Sequence, residues 1–385
     1  MTANHSAAHI VREGDASCLG AALQDARRRT IDLLLAFAER LGPQLEVPYS
    51  PQVNPPLWEV GHVAWFWDFW IARNRQRRFG LNCDPDHTRP EGRLVSADAL
   101  YNSSRVAHET RWRLPLPDLE ATLGYLEESL EESLERLAHA DSTPDELYFY
   151  RLALLHEDMH AEAFTYAAQT LDIPFPPHLE PRTKSLPSAA EVVFPATTWR
   201  LGYHGAGFAF DNELIAHKVA LAAFRIDNCA VSWRRFLPAI EAGAVKMPRY
   251  LSPHGGVWQA RRYGRAEALD LDTAAIHISW HDAAAWCDWA GRRLPTEAEW
   301  ECAASIGQGF AWGDAWEWTS SRFDPYPGFV AHPYRDYSRF GFEAPSYVLK
   351  GASRATSARI AHLKYRNFFA PDRNDIHAGF RSCAL

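Results

Sequence analysis

The sequence has few cysteines and no long apolar run. Its 385 residues include six cysteines, and no two of them form a C-x-x-C pair. Such wide spacing is typical of reduced, mostly buried thiols and argues against a disulfide framework. No apolar segment approaches the roughly 18 residues of a membrane helix, and residues 1–17 lack the apolar core of a signal peptide. We therefore expect a soluble, cytoplasmic protein with no membrane partner.

Basic residues are outnumbered by acidic ones, 40 against 48, which gives a formal net charge of −8. A nucleic-acid partner requires a basic surface, so we do not expect one. Hydrophobic residues make up 47% of the chain, which excludes a disordered protein. Aromatic residues reach 13% and include 15 tryptophans. We expect some of these rings to line a pocket for a small molecule.

Helical periodicity dominates the first half, whereas proline and glycine interrupt the second. Four helical segments predict a four-helix bundle. Five prolines between Ile173 and Pro187 then exclude a helix and mark a linker. Beyond it, short apolar runs and frequent glycines predict an irregular α+β domain. The helical segments are 19–41, 58–73, 118–138 and 143–171, and the predicted regions are a tail (1–18), a helical domain (19–172), a linker (173–190) and an α+β domain (191–385).

Three histidines form a candidate metal site in the helical domain. His156 and His160 are four residues apart, which on a helix places them about 40° apart in azimuth and about 6 Å apart along the axis. With 17 histidines in the chain, this spacing alone is weak evidence, but both residues lie in an otherwise apolar helix where imidazoles need partners. His62 lies among apolar residues of the second helix, beside Gly61, which permits close approach. Three such rings would leave three coordination positions of a metal open.

The histidine pattern is compatible with more than one metal and more than one chemistry. The motif H-E-x-x-H that begins at His156 is also that of zinc proteases, so a zinc-dependent hydrolase is an alternative. Its metzincin extension is missing, because Ala163 and Tyr166 occupy the glycine and histidine positions. Glu157 and Glu162 either orient the imidazoles or face solvent. An all-histidine site with open positions suits iron(II) and O2, although zinc, copper and manganese fit the spacing equally.

The second half carries a specific set of motifs. The block R-L-P-T-E-A-E-W-E at 293–301 follows H-I-S-W-H-D-A-A-A-W-C-D-W-A-G at 277–291, and W-E-W (316–318), V-L-K-G (348–351) and G-F-R (379–381) come after it. By these motifs, this half resembles the formylglycine-generating-enzyme-like domain, which implies a C-type-lectin-like α+β fold. The formylglycine-generating activity is not implied, because we find no active cysteine pair.

Both halves together resemble the ergothioneine-type sulfoxide synthases, which join a DinB-like helical bundle to such a domain. The resemblance runs from about residue 20 to the end of the chain. It implies that His62, His156 and His160 bind iron(II). It also implies that the enzyme uses O2 as co-substrate to join a chalcogen atom to C2 of the imidazole of hercynine, the trimethylated betaine of histidine.

Three departures from that family's pattern concern the donor of the chalcogen. Arg354 stands at a usual tryptophan, Met159 at a glutamine that contacts substrate in some relatives, and Phe369 near a carboxylate of the branch that uses γ-glutamylcysteine. With the segment P-P-L-W-E-V-G-H at 55–62, these features look closest to the selenoneine synthase branch, whose donor is a selenosugar and whose product is a hercynyl selenoxide. A hercynine sulfoxide synthase that uses cysteine or γ-glutamylcysteine is the alternative.

The resemblance also implies residues around the metal. A tyrosine should give a proton or a hydrogen bond to the oxygen species, and Tyr334 and Tyr337 are the candidates, with ordinary packing as the alternative. Hercynine's trimethylammonium group needs aromatic faces, its carboxylate needs a donor such as an amide, and the chalcogen donor needs an arginine. The predicted substrate-binding residues are Met159, Trp318, Arg354, Asn367, Phe368, Phe369 and Arg373.

Overall fold

The structure is a computed structural model that describes the backbone of residues 2–385 and the side chains from residue 7 onward. Helices fill the first half and a mixture of helices and strands fills the second. The α-helices are α1 (Thr2–Glu13), α2 (Ala16–Leu41), α3 (Pro56–Trp67), α4 (Ala97–Tyr101), α5 (Leu119–Ala138), α6 (Pro144–Thr170), α7 (Trp233–Glu241), α8 (Trp280–Trp289), α9 (Glu297–Ile306) and α10 (Asp336–Glu343). The β-strands are β1 (Glu191–Phe194), β2 (Thr197–Leu201), β3 (His217–Leu221), β4 (Phe224–Asp227), β5 (Leu251–His254), β6 (Val257–Arg262), β7 (Arg265–Ala268), β8 (Arg292–Arg293), β9 (Ala315–Arg322), β10 (Tyr347–Ala352), β11 (Asn367–Phe369), β12 (Ala378–Phe380) and β13 (Cys383–Ala384).

Helices α2, α3, α5 and α6 occupy the four segments with helical periodicity and pack on one another. Side-chain caps fix their starts: Asp15 accepts from the N–H of Cys18 before α2, and Thr143 accepts from Glu146 at the start of α6. Pro144 occupies the first turn of α6, where its missing N–H costs nothing. Helix α3 ends earlier than predicted and continues as a π-helix over Asp68–Ala72.

The sequence predicts an N-terminal tail over residues 1–18, whereas the structure has helix α1 over Thr2–Glu13 in this region. Helix α1 carries the buried Arg12, whose guanidinium pairs with both carboxylate oxygens of Glu213 at 2.7 and 2.9 Å. Arg12 also donates to the carbonyl of Phe208 at 2.9 Å. A buried arginine needs such a partner, and the partner lies about 200 residues away in the sequence. The segment therefore packs against the second half of the chain.

The second half contains two four-stranded sheets, one three-stranded sheet and one hairpin among the described residues. The orders are β11-β10-β9-β12, β1-β4-β13-β8, β5-β6-β7 and β2-β3, and β12 pairs with β9 in parallel while the other pairs are antiparallel. Capping boxes begin α8 and α9, in which Ser279 pairs with Asp282 and Thr296 with Glu299. These boxes explain why α8 begins at Trp280 and α9 at Glu297.

Helix α6 also contacts the second half of the chain. Its Asp158 accepts from Nη2 and Nε of Arg359, at 2.6 and 2.7 Å, and its Thr165 lies 2.9 Å from Nε2 of His377. The candidate site is on this same helix, so it lies beside the boundary between the halves.

All six cysteines are free thiols. None of the helices described between residues 2 and 385 has both the length and the apolar composition that crossing a bilayer requires.

Candidate metal centre

The rings of His62 on α3 and of His156 and His160 on α6 converge. Nε2 of His156 lies 3.3 Å from Nε2 of His62 and 3.1 Å from Nε2 of His160. One potential ligand atom from each of the three residues lies within 4.8 Å of the other two. Imidazole nitrogens bind a divalent metal at about 2.1 Å, so two of them at right angles lie about 3.0 Å apart. The spacing of these nitrogens therefore fits a single ion.

Hydrogen bonds on the far side of two rings fix which nitrogen faces the centre with a lone pair. Nδ1 of His62 lies 2.7 Å from the carbonyl oxygen of Tyr101, and Nδ1 of His160 lies 2.5 Å from Oε1 of Glu59. Both oxygens accept only, so each Nδ1 carries the proton and each Nε2 presents a lone pair. Nδ1 of His156 is buried without a partner among the described residues. Converging lone pairs need a cation, and the donor set fits a divalent metal ion.

Burial keeps the rings of His62 and His156 neutral, as metal binding requires. Burial, with the nearby His160, lowers the pKa of His62 to about 3. Burial likewise holds the pKa of His156 well below its usual value, and the two neighbouring histidines add to the effect. Burial opposes ionisation of Glu59, but the attraction of His160 and the hydrogen bonds from His160 and Asn54 outweigh it and lower the pKa of Glu59. The site thus combines two buried neutral rings, His62 and His156, with a third ring, His160, that is paired to a carboxylate.

Aromatic side chains hold two of these rings in place. Trp58 lies parallel to His62, with ring centroids 5.1 Å apart and planes 5° apart, and Phe66 stacks on His156 at 3.7 Å and 9°. Gly61 makes the approach of the Tyr101 segment possible, because a Cβ there would collide with the ring of Tyr101. Aromatic rings therefore restrict the orientation of His62 and His156.

A cavity of about 280 Å³, which we call the His160 cavity, opens beside the third ring. It contains four of the predicted substrate-binding residues, namely Met159, Asn367, Phe368 and Phe369. The described residues that line it include no lysine or arginine. The lining also includes acidic and aromatic residues that the sequence did not point to as substrate contacts, namely Glu59, Glu162, Tyr166, Trp316 and Tyr365. An aromatic cavity with two carboxylates suits a cationic ligand.

The two candidate tyrosines stack on each other, with ring centroids 6.1 Å apart and planes 25° apart. Tyr337 lines the His160 cavity, and its hydroxyl is 2.8 Å from that of Tyr365. Both hydroxyls approach Sδ of Met159, at 3.6 and 3.2 Å. Tyr334 instead packs edge-on against Phe66, with centroids 4.9 Å apart, and does not line that cavity. Tyr365 was missed, although it directly precedes the R-N-F-F-A-P motif in which the sequence analysis placed substrate contacts.

Three predicted substrate-binding residues do not line the His160 cavity. Trp318 is fully buried and donates its indole N–H to the carbonyl of Ile278 at 2.7 Å. Arg354 pairs with Asp314 at 2.7 Å in a separate cavity of about 160 Å³. These two predictions are corrected, because each polar group already has its partner elsewhere.

Arg373 stands behind the wall of the His160 cavity. Its guanidinium lies 4.9 Å from the ring centroid of Phe369 and pairs with both oxygens of Asp375 at 2.6 and 2.7 Å. Its charge is therefore already balanced. Arg373 supports the ring of Phe369 and does not reach the cavity itself.

Neither glutamate of the H-E-x-x-H region orients a ligand ring or faces solvent. Glu157 forms a buried ion pair with Arg27 at 2.9 and 3.0 Å, and Glu162 accepts from the indole of Trp316 and the hydroxyl of Ser353, both at 2.8 Å. The carboxylate that holds a ligand ring is Glu59, which the sequence analysis missed. The sequence could have indicated Glu59 as a residue near the metal, because it precedes the ligand His62 by one helical turn.

Known families match both halves of the chain. The family described as "Sulfatase-modifying factor enzyme 1-like domain" matches residues 177–315 and 311–384, and the DinB superfamily matches residues 22–164. The hercynine oxygenase of Mycolicibacterium smegmatis is 28% identical, over 92% of this chain and 96% of that protein. The hercynine oxygenase of Mycobacterium tuberculosis is 26% identical, over 93% and 96%. The solved structure of Treponema denticola variable protein 1 covers 53% of this chain and 98% of its own, with 18% identity and a TM-score of 0.34.

Proposed function

Because this chain belongs to the sulfatase-modifying factor enzyme 1-like family and is an oxidoreductase related over most of its length to hercynine oxygenases, we propose that it uses iron(II) and O2 to join a chalcogen atom to C2 of hercynine's imidazole. The observation that carries this proposal is the convergence of three histidine nitrogens on one point beside the His160 cavity. Bound there by His62, His156 and His160, iron(II) would supply O2 activation and one-electron chemistry.

The His160 cavity is the proposed binding site of hercynine. The aromatic rings of Tyr166, Trp316 and Phe368 offer faces for a trimethylammonium group, which cannot donate a hydrogen bond. The carboxylate of Glu162 adds negative charge on the same wall. The amide of Asn367 is the proposed donor to the carboxylate of hercynine. This arrangement would direct the imidazole of the substrate toward His160.

Tyr337 is the proposed proton donor, with Tyr365 as the group that holds its hydroxyl. Burial raises the pKa of Tyr337 well above its usual value, and it raises that of Tyr365 as well. Both hydroxyls therefore stay protonated at neutral pH and can donate. Met159 contacts both hydroxyls through its sulfur, so it sets their position without competing strongly for the proton.

Sulfur is the donor element that the relatives support best, with cysteine or γ-glutamylcysteine as its carrier and a hercynyl sulfoxide as the product. One observation favours a selenosugar as the second candidate. The lining of the His160 cavity has no lysine or arginine among its described residues, and Arg373 behind Phe369 is already paired with Asp375. Such a wall offers little to the carboxylates of γ-glutamylcysteine, whereas the uncharged hydroxyls of a sugar need no counter-ion.

The test is mass spectrometry of reactions that contain the purified chain, iron(II), hercynine and one donor at a time. The donors are cysteine, γ-glutamylcysteine and a selenosugar, each offered with and without air. We expect a hercynyl sulfoxide or selenoxide only with iron and only in air. Equal conversion without air would contradict the proposal. A zinc-loaded chain that cleaves esters or peptides without air would support the hydrolase alternative instead.

A further inference from the structure

The three rings of the metal centre differ in what holds their outer nitrogens. His62 has a neutral carbonyl oxygen at Nδ1, and His160 has the carboxylate of Glu59. Nδ1 of His156 has no partner among the described residues. A carboxylate on one imidazole N–H raises the basicity of the opposite nitrogen and fixes the orientation of the ring. His160 is therefore the most electron-rich of the three rings.

Glu59 is itself held by a chain of contacts. Its second carboxylate oxygen accepts a short hydrogen bond from Nδ2 of Asn54, and Oδ1 of Asn54 accepts from Arg111 at 2.7 Å. The guanidinium of Arg111 also lies 3.8 Å over the ring of Trp58, the residue that stacks on His62. One arginine thus supports two ligand rings, His160 through Asn54 and Glu59, and His62 through Trp58.

We infer that Glu59 is a positioning residue that fixes the Nδ1 proton of His160 and increases the electron donation of that ring to a bound metal. Helix α3 supplies both the ligand His62 and, one turn earlier, the carboxylate that holds the ring of His160 on α6. The inference rests on the proposed metal centre. It does not depend on which donor the enzyme uses, since it concerns metal binding in the absence of substrate.

The test measures the affinity of the metal-free chain for cobalt(II), read from visible absorption, without hercynine or a donor. The variants are Glu59→Ala, which removes the acceptor, and the isosteric Glu59→Gln, which keeps an acceptor oxygen but removes the charge. Carboxylates that hydrogen-bond to a metal-binding imidazole contribute about 10- to 100-fold to metal affinity. We expect binding weaker by about 100-fold for Glu59→Ala and about 10-fold for Glu59→Gln, with a shifted cobalt spectrum in both.

Glu162→Gln is the matched control, because it replaces another carboxyl group of the same cavity by an amide without touching an imidazole. We expect its cobalt affinity to stay within about twofold of the parent. If Glu59→Gln also binds within twofold and leaves the spectrum unchanged, the inference is wrong, and the isosteric variant answers this even if Glu59→Ala fails to fold. A parent chain that binds no cobalt or iron would overturn the metal centre itself, which is a different failure.

As a second readout, the Fe(III)/Fe(II) potential should be higher in Glu59→Gln than in the parent, because a less electron-rich ring stabilises iron(III) less. A purely structural role of Glu59 would not move this potential in a variant of equal thermal stability. An unchanged potential together with unchanged affinity contradicts the inference.

Discussion

The indole N–H of Trp316 donates to Oε1 of Glu162 at 2.8 Å, which joins β9 of the second half to the helix that carries two of the metal ligands. Both residues are buried, and the side chains that donate hydrogen bonds to the carboxylate of Glu162 are the uncharged Trp316 and Ser353. The contact thus fixes one wall of the His160 cavity and couples the two halves of the chain.

Replacement of Trp316 by phenylalanine should lower the free energy of unfolding by about 1–3 kcal/mol, because it leaves a buried carboxylate short of a donor. Chemical denaturation followed by circular dichroism measures this change. Trp289→Phe is the control, since Trp289 is 43% exposed and should change the stability by less than about 0.5 kcal/mol. If both substitutions lowered the free energy of unfolding equally, the hydrogen bond between Trp316 and Glu162 would not contribute to stability.

Removal of the Tyr337 hydroxyl should slow the reaction while the metal stays bound. A positioned proton donor contributes about 10²- to 10⁴-fold, so Tyr337→Phe should lower kcat by a factor in this range. Single-turnover kinetics with iron content measured in the same sample checks the prediction. Tyr334→Phe should cost much less, because Tyr334 does not line the His160 cavity and its hydroxyl is hydrogen-bonded to Ser103. The reverse order of effects would make Tyr334 the proton donor.

Substitution of Asn367 by alanine should raise the KM for hercynine. A hydrogen bond to a charged group contributes about 1.5–3 kcal/mol, which corresponds to about 10- to 100-fold. Initial rates at varied hercynine concentration provide the measurement. Asn102→Ala is the matched variant, because Asn102 lines a different cavity, bounded by Trp65 and Tyr334. If Asn102→Ala raised the KM and Asn367→Ala did not, hercynine would bind in that other cavity.

Two histidines outside the metal centre should make the metal-free protein sensitive to acid. Burial lowers the pKa of His277 and of His332 to about 4, whereas in the unfolded chain both titrate near 6.5. The unfolded state then binds more protons between pH 6.5 and 4. The stability is complete above pH 6.5 and falls by about 1.4 kcal/mol per pH unit for each histidine as the pH drops toward 4.

The variant His332→Asn isolates one of these contributions. Its free energy of unfolding should fall less steeply with acid, by about 1.4 kcal/mol per pH unit, in urea titrations between pH 4 and 6.5 with a chelator present. An unchanged slope would mean that His332 becomes protonated in the folded protein.

The sequence predicted those parts of the fold and site that depend on local geometry. Helical spacing alone places His156 and His160 on one face, and Gly61 indicated the close approach beside His62 that the Tyr101 segment makes. The family motifs located the mixed helix-and-sheet half. Periodicity likewise placed α2, α5 and α6 within about three residues at each end, whereas α3 ends earlier than predicted.

Other parts of the site depend on which residues meet across the fold, and local patterns do not encode that. Trp316 and Trp318 lie on one face of β9, so strand alternation could not tell which of them reaches the cavity. Arg354 was predicted to meet the donor, but it is paired with Asp314, 40 residues earlier. Glu59 was overlooked because its partner His160 is on another helix.

The central claim is that one metal ion is held by the Nε2 atoms of His62, His156 and His160. Crystals of the chain prepared with iron(II), measured at the iron absorption edge, test this claim directly. The account predicts one anomalous peak per chain, about 2.1 Å from each of the three Nε2 atoms. A peak elsewhere in the chain, or no peak between these rings in iron-loaded protein, would contradict it.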